Sequence, residues 1–140
     1  MKTIEPVRLL KLALYTDAAA SAALAVAQLL LPSMLASYLS LPGMLITETG
    51  IFLAGYALIL VYLASTRYVW AAAVQVVVIG NVGWALACML LAATRVVTPS
   101  ALGIAFLLFQ AGAVLLFAWL QHSGLRASLS AAPRPGMQLN

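Results

Sequence analysis

The segment Val69–Ala92, VWAAAVQVVVIGNVGWALACMLLA, contains no charged residue and is long enough to cross a lipid bilayer. A helix needs about 20 apolar residues to span a hydrocarbon core of ~30 Å. Three further stretches are comparably long and apolar, and they lie at Lys11–Leu31, Leu45–Ser65 and Ala101–Gln121. Together these four predicted spans occupy most of the 140-residue chain.

The composition is that of a protein whose solvent is lipid. Charged residues make up 7% and hydrophobic residues 65% of the chain, against roughly 25% and 45–50% in soluble domains. In lipid, every backbone donor and acceptor must be satisfied within the segment, so the spans are predicted to be helices. The sequence therefore predicts an all-α, integral membrane four-helix bundle in residues 1–126 and a disordered tail, rich in Ser and Pro, in 127–140.

The basic residues are distributed unevenly about the four spans. One side of the predicted topology carries Lys2, Arg8, Lys11, Arg67, Arg126 and Arg134, and the other carries Arg95. Short loops rich in Lys and Arg remain in the cytoplasm, so both termini are predicted to be cytoplasmic. This asymmetry, with attraction to anionic membrane lipids, accounts for the net charge of +4. Nucleic acid is not an expected partner, because no basic cluster with interleaved aromatic residues is present.

The connections between the spans carry two local predictions. The segment Pro32–Gly43 is bracketed by prolines and is too short to cross the membrane, so we expect a short helix lying in the membrane interface. In the last connection, Thr98 is predicted to cap the fourth span, with Pro99 at the first helical position.

Two acidic residues, Asp17 and Glu48, lie within the predicted spans. A charge near the bilayer centre costs at least ~2.5–3.5 kcal/mol unless it is paired or hydrated. The two acids lie toward opposite faces of the membrane, so they cannot form a carboxylate pair for acid/base catalysis. The simplest interpretation is structural ion pairing, of Asp17 with Lys11 or Arg67 and of Glu48 with Arg95.

Other polar or hydrogen-bonding side chains lie at intermediate depths of the spans. With the two acids, the candidate site residues are Asp17, Gln28, Glu48, Tyr56, Gln75, Asn81, Trp84 and Gln110. They form either a polar lane across the membrane or interhelical hydrogen bonds, worth roughly 0.6 kcal/mol each, that fix the register of the helices. The stripe of Asn81, Trp84 and Cys88 leaves open a contact with a bound lipid or quinone.

The sequence contains no recognisable catalytic motif. Cys88 is the only thiol and His122 the only imidazole, so neither a redox pair nor a His-rich metal site is expected. Small residues recur at four-residue spacing, as in Ala18–Ala22, Gly50–Ala54 and Gly83–Ala87. Such spacing lets helices approach closely, either within the chain or against a second copy or a partner.

Four features of the sequence can be compared with known families: Asp17 in an alanine-rich first helix, Leu31-Pro32 to Leu41-Pro42-Gly43, Gly80-Asn81-Val82-Gly83-Trp84, and Gln110-Ala111 to Gln121-His122-Ser123-Gly124-Leu125-Arg126. Together they resemble small bacterial four-helix inner-membrane proteins, broadly DoxX-like. The resemblance spans most of the chain and implies a fold and an inner-membrane location, with no reaction.

Two classes of function follow as expectations. The first is a non-catalytic accessory or scaffold subunit that packs in a homo-oligomer or a larger membrane complex. The alternative is a minimal transporter or channel for a small solute or ion that uses Asp17 or Glu48, which requires a hydrated cavity touching at least one of these acids.

Overall fold

The computed structural model describes residues 3–94 and 96–131. It contains five helices and one short strand pair in the order β1 (Thr3–Ile4), α1 (Arg8–Leu30), α2 (Pro32–Leu39), α3 (Gly43–Ser65), β2 (Val69–Trp70), α4 (Ala71–Ala93) and α5 (Ala101–Ala131). Four of the helices, α1, α3, α4 and α5, are long and apolar enough to cross a membrane. The prediction of four apolar spans is thereby confirmed.

The strand pair is the departure from a purely helical chain. Thr3 pairs with Trp70 and Ile4 with Val69, in antiparallel register. Ile4 and Val69 are both buried in one apolar cluster with Leu10. The third span was predicted to begin at Val69, but that residue pairs with the N-terminal segment, and the helix begins two residues later at Ala71.

The last helix, α5, continues beyond the predicted end of the fourth span. The tail predicted to be disordered from Ala127 is helical as far as Ala131, and 132–140 lie outside the described residues. Ser128 explains the difference, because its buried hydroxyl donates to the Gly124 carbonyl oxygen at 2.8 Å and accepts the Val7 backbone N–H at 3.0 Å. Ser128, which fell within the predicted disordered tail, thus joins the end of α5 to the start of α1.

The short helix expected between the first two spans is present as α2, and the chain before α5 docks against its end. The backbone N–H of Ser100 donates to the Leu39 carbonyl oxygen at 3.0 Å, and its hydroxyl donates to the Tyr38 carbonyl oxygen at 2.7 Å. The same hydroxyl accepts the Gly103 N–H at 3.1 Å. Ser100 therefore caps α5, and the prediction of Thr98 as the cap was wrong by two positions.

The long helices make their main contacts as α1 with α3, α4 with α5, and α1 with α5. Gly50 permits the first of these, because a methyl group added there would lie 3.0 Å from the Gln28 Cβ. Aromatic side chains bridge α3 and α4, which are consecutive long helices. Phe52 stacks on Trp84 with ring centroids 5.6 Å apart and on Tyr56 with centroids 6.2 Å apart.

Candidate functional site

Asp17 of α1 lies at the centre of the most extensive group of polar side chains among the described residues. Its side chain is 1% exposed. Oδ2 accepts hydrogen bonds from Gln121 Nε2 at 2.7 Å, Asn81 Nδ2 at 2.9 Å and the Tyr56 hydroxyl at 3.2 Å. Oδ1 accepts from the Ser21 hydroxyl at 3.3 Å. We call these five residues the Asp17 network.

The members of the Asp17 network also bind one another. Asn81 Nδ2 donates to Gln121 Oε1 at 3.1 Å, and the Tyr56 hydroxyl lies 3.0 Å from Asn81 Oδ1. Tyr56 comes from α3, Asn81 from α4 and Gln121 from α5, so the network joins all four long helices. Across 3–94 and 96–131, no fully buried side-chain nitrogen or oxygen lacks a hydrogen-bond partner. The carboxyl group is held by neutral donors.

The predicted ion pairs of Asp17 are not formed. Arg67 instead faces Glu5, with Nε 3.8 Å from Oε1 and both side chains exposed. An exposed pair of this kind contributes about 0.2–1 kcal/mol. Asp17 accepts hydrogen bonds from amide and hydroxyl groups of the neighbouring helices. The sequence had predicted an ion pair with Lys11 or Arg67 instead. The other predicted pair, of Glu48 with Arg95, cannot be assigned because Arg95 lies outside the described residues.

The Tyr56 hydroxyl lies between two acceptors of the Asp17 network. The single Tyr56 hydroxyl hydrogen has two acceptors in range, Asn81 Oδ1 at 3.0 Å and Asp17 Oδ2 at 3.2 Å, and a phenol can donate only once. The hydroxyl therefore donates to one of these two oxygens at a time, and it joins α3 to both α1 and α4.

Gln121 is the interhelical member of the Asp17 network that was not among the predicted site residues. It was placed at the cytoplasmic end of the fourth span, yet it is 0% exposed and makes the shortest contact to Asp17. A signal for it exists in the sequence, because Gln110 and Gln121 are separated by three helical turns and differ by only about 20° around the helix axis. An α5 that continued past Gln121 would have placed both amides on one buried face.

The remaining predicted site residues form smaller groups. Trp84 Nε1 donates to Gln110 Oε1 at 3.3 Å, joining α4 to α5. The Gln28 amide lies 3.3 Å from the Thr49 hydroxyl, joining α1 to α3. Glu48 and Gln75 are exposed. The described hydrogen bonds thus form separate interhelical groups instead of one continuous chain across the protein.

Two cavities adjoin these groups. One has a volume of about 220 Å³ and is lined by polar side chains of Gln28, Thr49, Trp84 and Gln110 among mostly apolar residues. The other, of about 150 Å³, lies between α1 and α5 and touches Asp17, Ser21 and Gln110. Gln110 lies in the wall of both, so the two cavities are neighbours.

Four long apolar helices joined by buried polar side chains define the class as a multi-pass membrane protein. Among the described residues, no group of three or more His, Cys, Asp or Glu side chains is arranged to hold a metal ion. Comparison with protein-family models, with curated proteins and with solved structures found no match.

Proposed function

We propose that this chain is a non-catalytic accessory or scaffold subunit of a bacterial inner membrane, with both termini in the cytoplasm. In this proposal it packs in a homo-oligomer or against a larger membrane complex, surrounded by membrane lipids. The resemblance to DoxX-like proteins supports the compartment, and the uneven distribution of basic residues supports the orientation. The observation that carries the proposal is a face of α4 that has no partner within the described chain.

This α4 glycine face consists of Gly80, Gly83 and Ala87, which are all exposed. The three positions fall within about 60° of one another around the helix axis. A methyl group added at Gly80 or Gly83 would meet open space, whereas one added at Gly50 would press on α1. Since a glycine inside a helix costs about 1 kcal/mol relative to alanine, two unpacked glycines on one face favour an intermolecular use. Small residues of this kind let a second transmembrane helix approach closely.

The Asp17 network supports a structural role for the polar side chains of the interior. Its donors and acceptors are directed at one another and join four helices, an arrangement that fixes the rotation of each helix about its axis. A scaffold needs this rigidity, because the partner-facing surface of α4 keeps its orientation only if α4 is locked against the other three helices.

Substitution of Gly83 with leucine is expected to disrupt the assembly without unfolding the chain, because the larger side chain blocks close approach to the α4 glycine face. The measurement is native mass spectrometry after gentle extraction from the protein's own membrane, with bound lipids and neighbours retained. Gly112→Leu is the matched control, since Gly112 of α5 also faces open space. We expect the wild type and Gly112→Leu to form a stoichiometric assembly and Gly83→Leu to be monomeric. A monomeric wild type would contradict the proposal.

The second candidate function, a minimal transporter or channel, is favoured by one specific observation. The cavity of about 150 Å³ is lined by Asp17 and Ser21, so the buried carboxyl group adjoins a space of the size a small solute or ion needs. Proton flux into proteoliposomes tests this function. Flux through wild type and Glu48→Gln but not through Asp17→Asn would favour transport centred on Asp17, and absence of flux in all three would remove the candidate.

A further inference from the structure

We infer that the cavity of about 220 Å³, which we call the amide cavity, is a binding site for the carbonyl-bearing part of a membrane-soluble molecule. Its polar lining consists of the Gln28 and Gln110 amides with Thr49 and Trp84, and Cys88 and Phe106 contribute to its apolar wall. This inference does not depend on the α4 partner proposed above, because it concerns groups inside the chain.

The Trp84 indole fixes the orientation of the Gln110 amide. Gln110 is 9% exposed, and its Oε1 accepts the Trp84 indole N–H at 3.3 Å. An indole nitrogen only donates, so this contact fixes which end of the amide is the oxygen. The NH₂ end has no hydrogen-bond partner among the described residues, and Gln110 lines the amide cavity.

The Gln28 amide is 4% exposed and lies in the wall of the same cavity. One end of it contacts the Thr49 hydroxyl at 3.3 Å. The other end has no hydrogen-bond partner in the part of the chain that the structure describes. Neither unused end belongs to the fully buried atoms, all of which have partners, so both ends are accessible to a polar group supplied from outside the chain.

The lining of the amide cavity fits a carbonyl group on an apolar body. A carbonyl oxygen accepts from the free Gln110 NH₂, and the surrounding walls favour an apolar body, since Leu45, Ile46 and Phe106 contribute to them. Binding pockets for whole small molecules usually measure ~300–1,000 Å³. A cavity of about 220 Å³ therefore holds only the carbonyl-bearing part of a longer molecule. Leu45 of α3 lies in the lining and is only half-buried, which gives the remainder of that molecule a way out to the lipid.

Water is the other occupant to consider. A buried water makes about three hydrogen bonds to polar groups, and the apolar walls provide few beyond the two amides.

Two sources can present the inferred carbonyl, namely the ester group of a lipid and the ring carbonyl of a quinone. Both share an acceptor oxygen on an apolar body, so the test uses one probe of each kind.

The test follows the fluorescence of Trp84 in a Trp70→Phe, Trp119→Phe background in lipid nanodiscs. The probes are a bromine-labelled fatty acid methyl ester and a short-chain benzoquinone, each of which quenches a tryptophan that it contacts. We expect saturable quenching by at least one probe, and about tenfold weaker binding after Gln110→Met, which removes the donor. Gln75→Met is the matched control, because Gln75 is exposed on α4, and it should leave the affinity unchanged.

A second variant keeps the inference testable if Gln110→Met fails to fold. Cys88→Leu adds bulk to the wall of the amide cavity and leaves both amides in place, so we expect it to abolish saturable quenching. Saturation by the ester alone assigns a lipid and saturation by the quinone alone assigns a quinone. Non-saturable quenching by both probes, or equal binding in wild type and Cys88→Leu, would overturn the inference.

Discussion

Asp17→Leu is expected to lower the free energy of unfolding by about 2–5 kcal/mol. The substitution leaves Gln121, Asn81 and Tyr56 without the oxygen that accepts their hydrogen bonds. Interhelical hydrogen bonds in membranes contribute about 0.6 kcal/mol on average and about 1.7 kcal/mol at most, and three such bonds give the stated range. Leucine also removes a buried carboxyl group, which offsets part of the loss, but the three donors remain buried within the protein.

Asp17→Asn separates the effect of geometry from the effect of charge. Its amide oxygen can occupy the Oδ2 position and accept from Gln121 and Asn81, while its NH₂ group faces the Ser21 hydroxyl, which is able to accept. We therefore expect a loss of no more than about 1 kcal/mol, the scale of one interhelical hydrogen bond. The measurement is the free energy of unfolding in bicelles. Equal destabilisation by leucine and asparagine would show that the charge, and not the placement of the acceptor oxygen, stabilises the fold.

Glu48→Leu provides the control for the removal of an acid from a long helix. Glu48 is exposed on α3 and belongs to none of the interhelical groups. Its loss should change the free energy of unfolding by no more than about 0.5 kcal/mol, as is usual for surface positions without special contacts. If the Asp17→Leu protein has the same free energy of unfolding as the wild type, the role given to the Asp17 network is contradicted.

Gly124→Ala is expected to destabilise the protein by about 1–3 kcal/mol, the usual cost of overpacking a tight contact. A methyl group at this position would lie 2.8 Å from both the N and the Cα atoms of Leu10. Those are backbone atoms, so α1 and α5 can relieve the contact only by moving apart. Such a movement also stretches the 2.7 Å bond from Gln121 to Asp17, because Gln121 precedes Gly124 by one turn of the same helix.

Gly112→Ala is the matched control on α5, since a methyl group added there meets open space. Alanine favours a helix by up to about 1 kcal/mol over glycine, so we expect this variant to be as stable as the wild type or more stable. Both variants are measured by thermal unfolding in the same detergent. A Gly124→Ala protein that is as stable as Gly112→Ala would mean that α1 and α5 do not cross closely at Leu10.

The features that follow from composition were predictable, and those that depend on helix rotation were not. Long apolar stretches have one stable backbone solution in lipid, so the four spans could be read from the sequence. Asp17 could be singled out because a buried acid is rare. Its partners could not, since the choice between Arg67 and the amides of Asn81 and Gln121 depends on which face each helix turns toward α1.

The predictions of where helices begin and end were wrong for a related reason. The composition of 127–140 suggested a tail, but the buried Ser128 of α5 binds a backbone group ahead of α1, more than a hundred residues away in sequence. The pairing of Ile4 with Val69 is likewise long-range. Ser100 became the cap of α5 because its hydroxyl also reaches the end of α2. Contacts of this kind are absent from any local pattern of residues.

The most direct test of the central claim, that the Asp17 network locks the long helices together, is a double-mutant cycle. The free energy of unfolding in bicelles is measured for Asp17→Leu, Gln121→Leu, the double variant and the wild type. Directly hydrogen-bonded residues show coupling of about 0.5–3 kcal/mol, and independent ones add within about 0.3–0.5 kcal/mol. We expect a coupling of at least about 1 kcal/mol, with the second substitution costing much less once the first is present. Additive effects would contradict the claim.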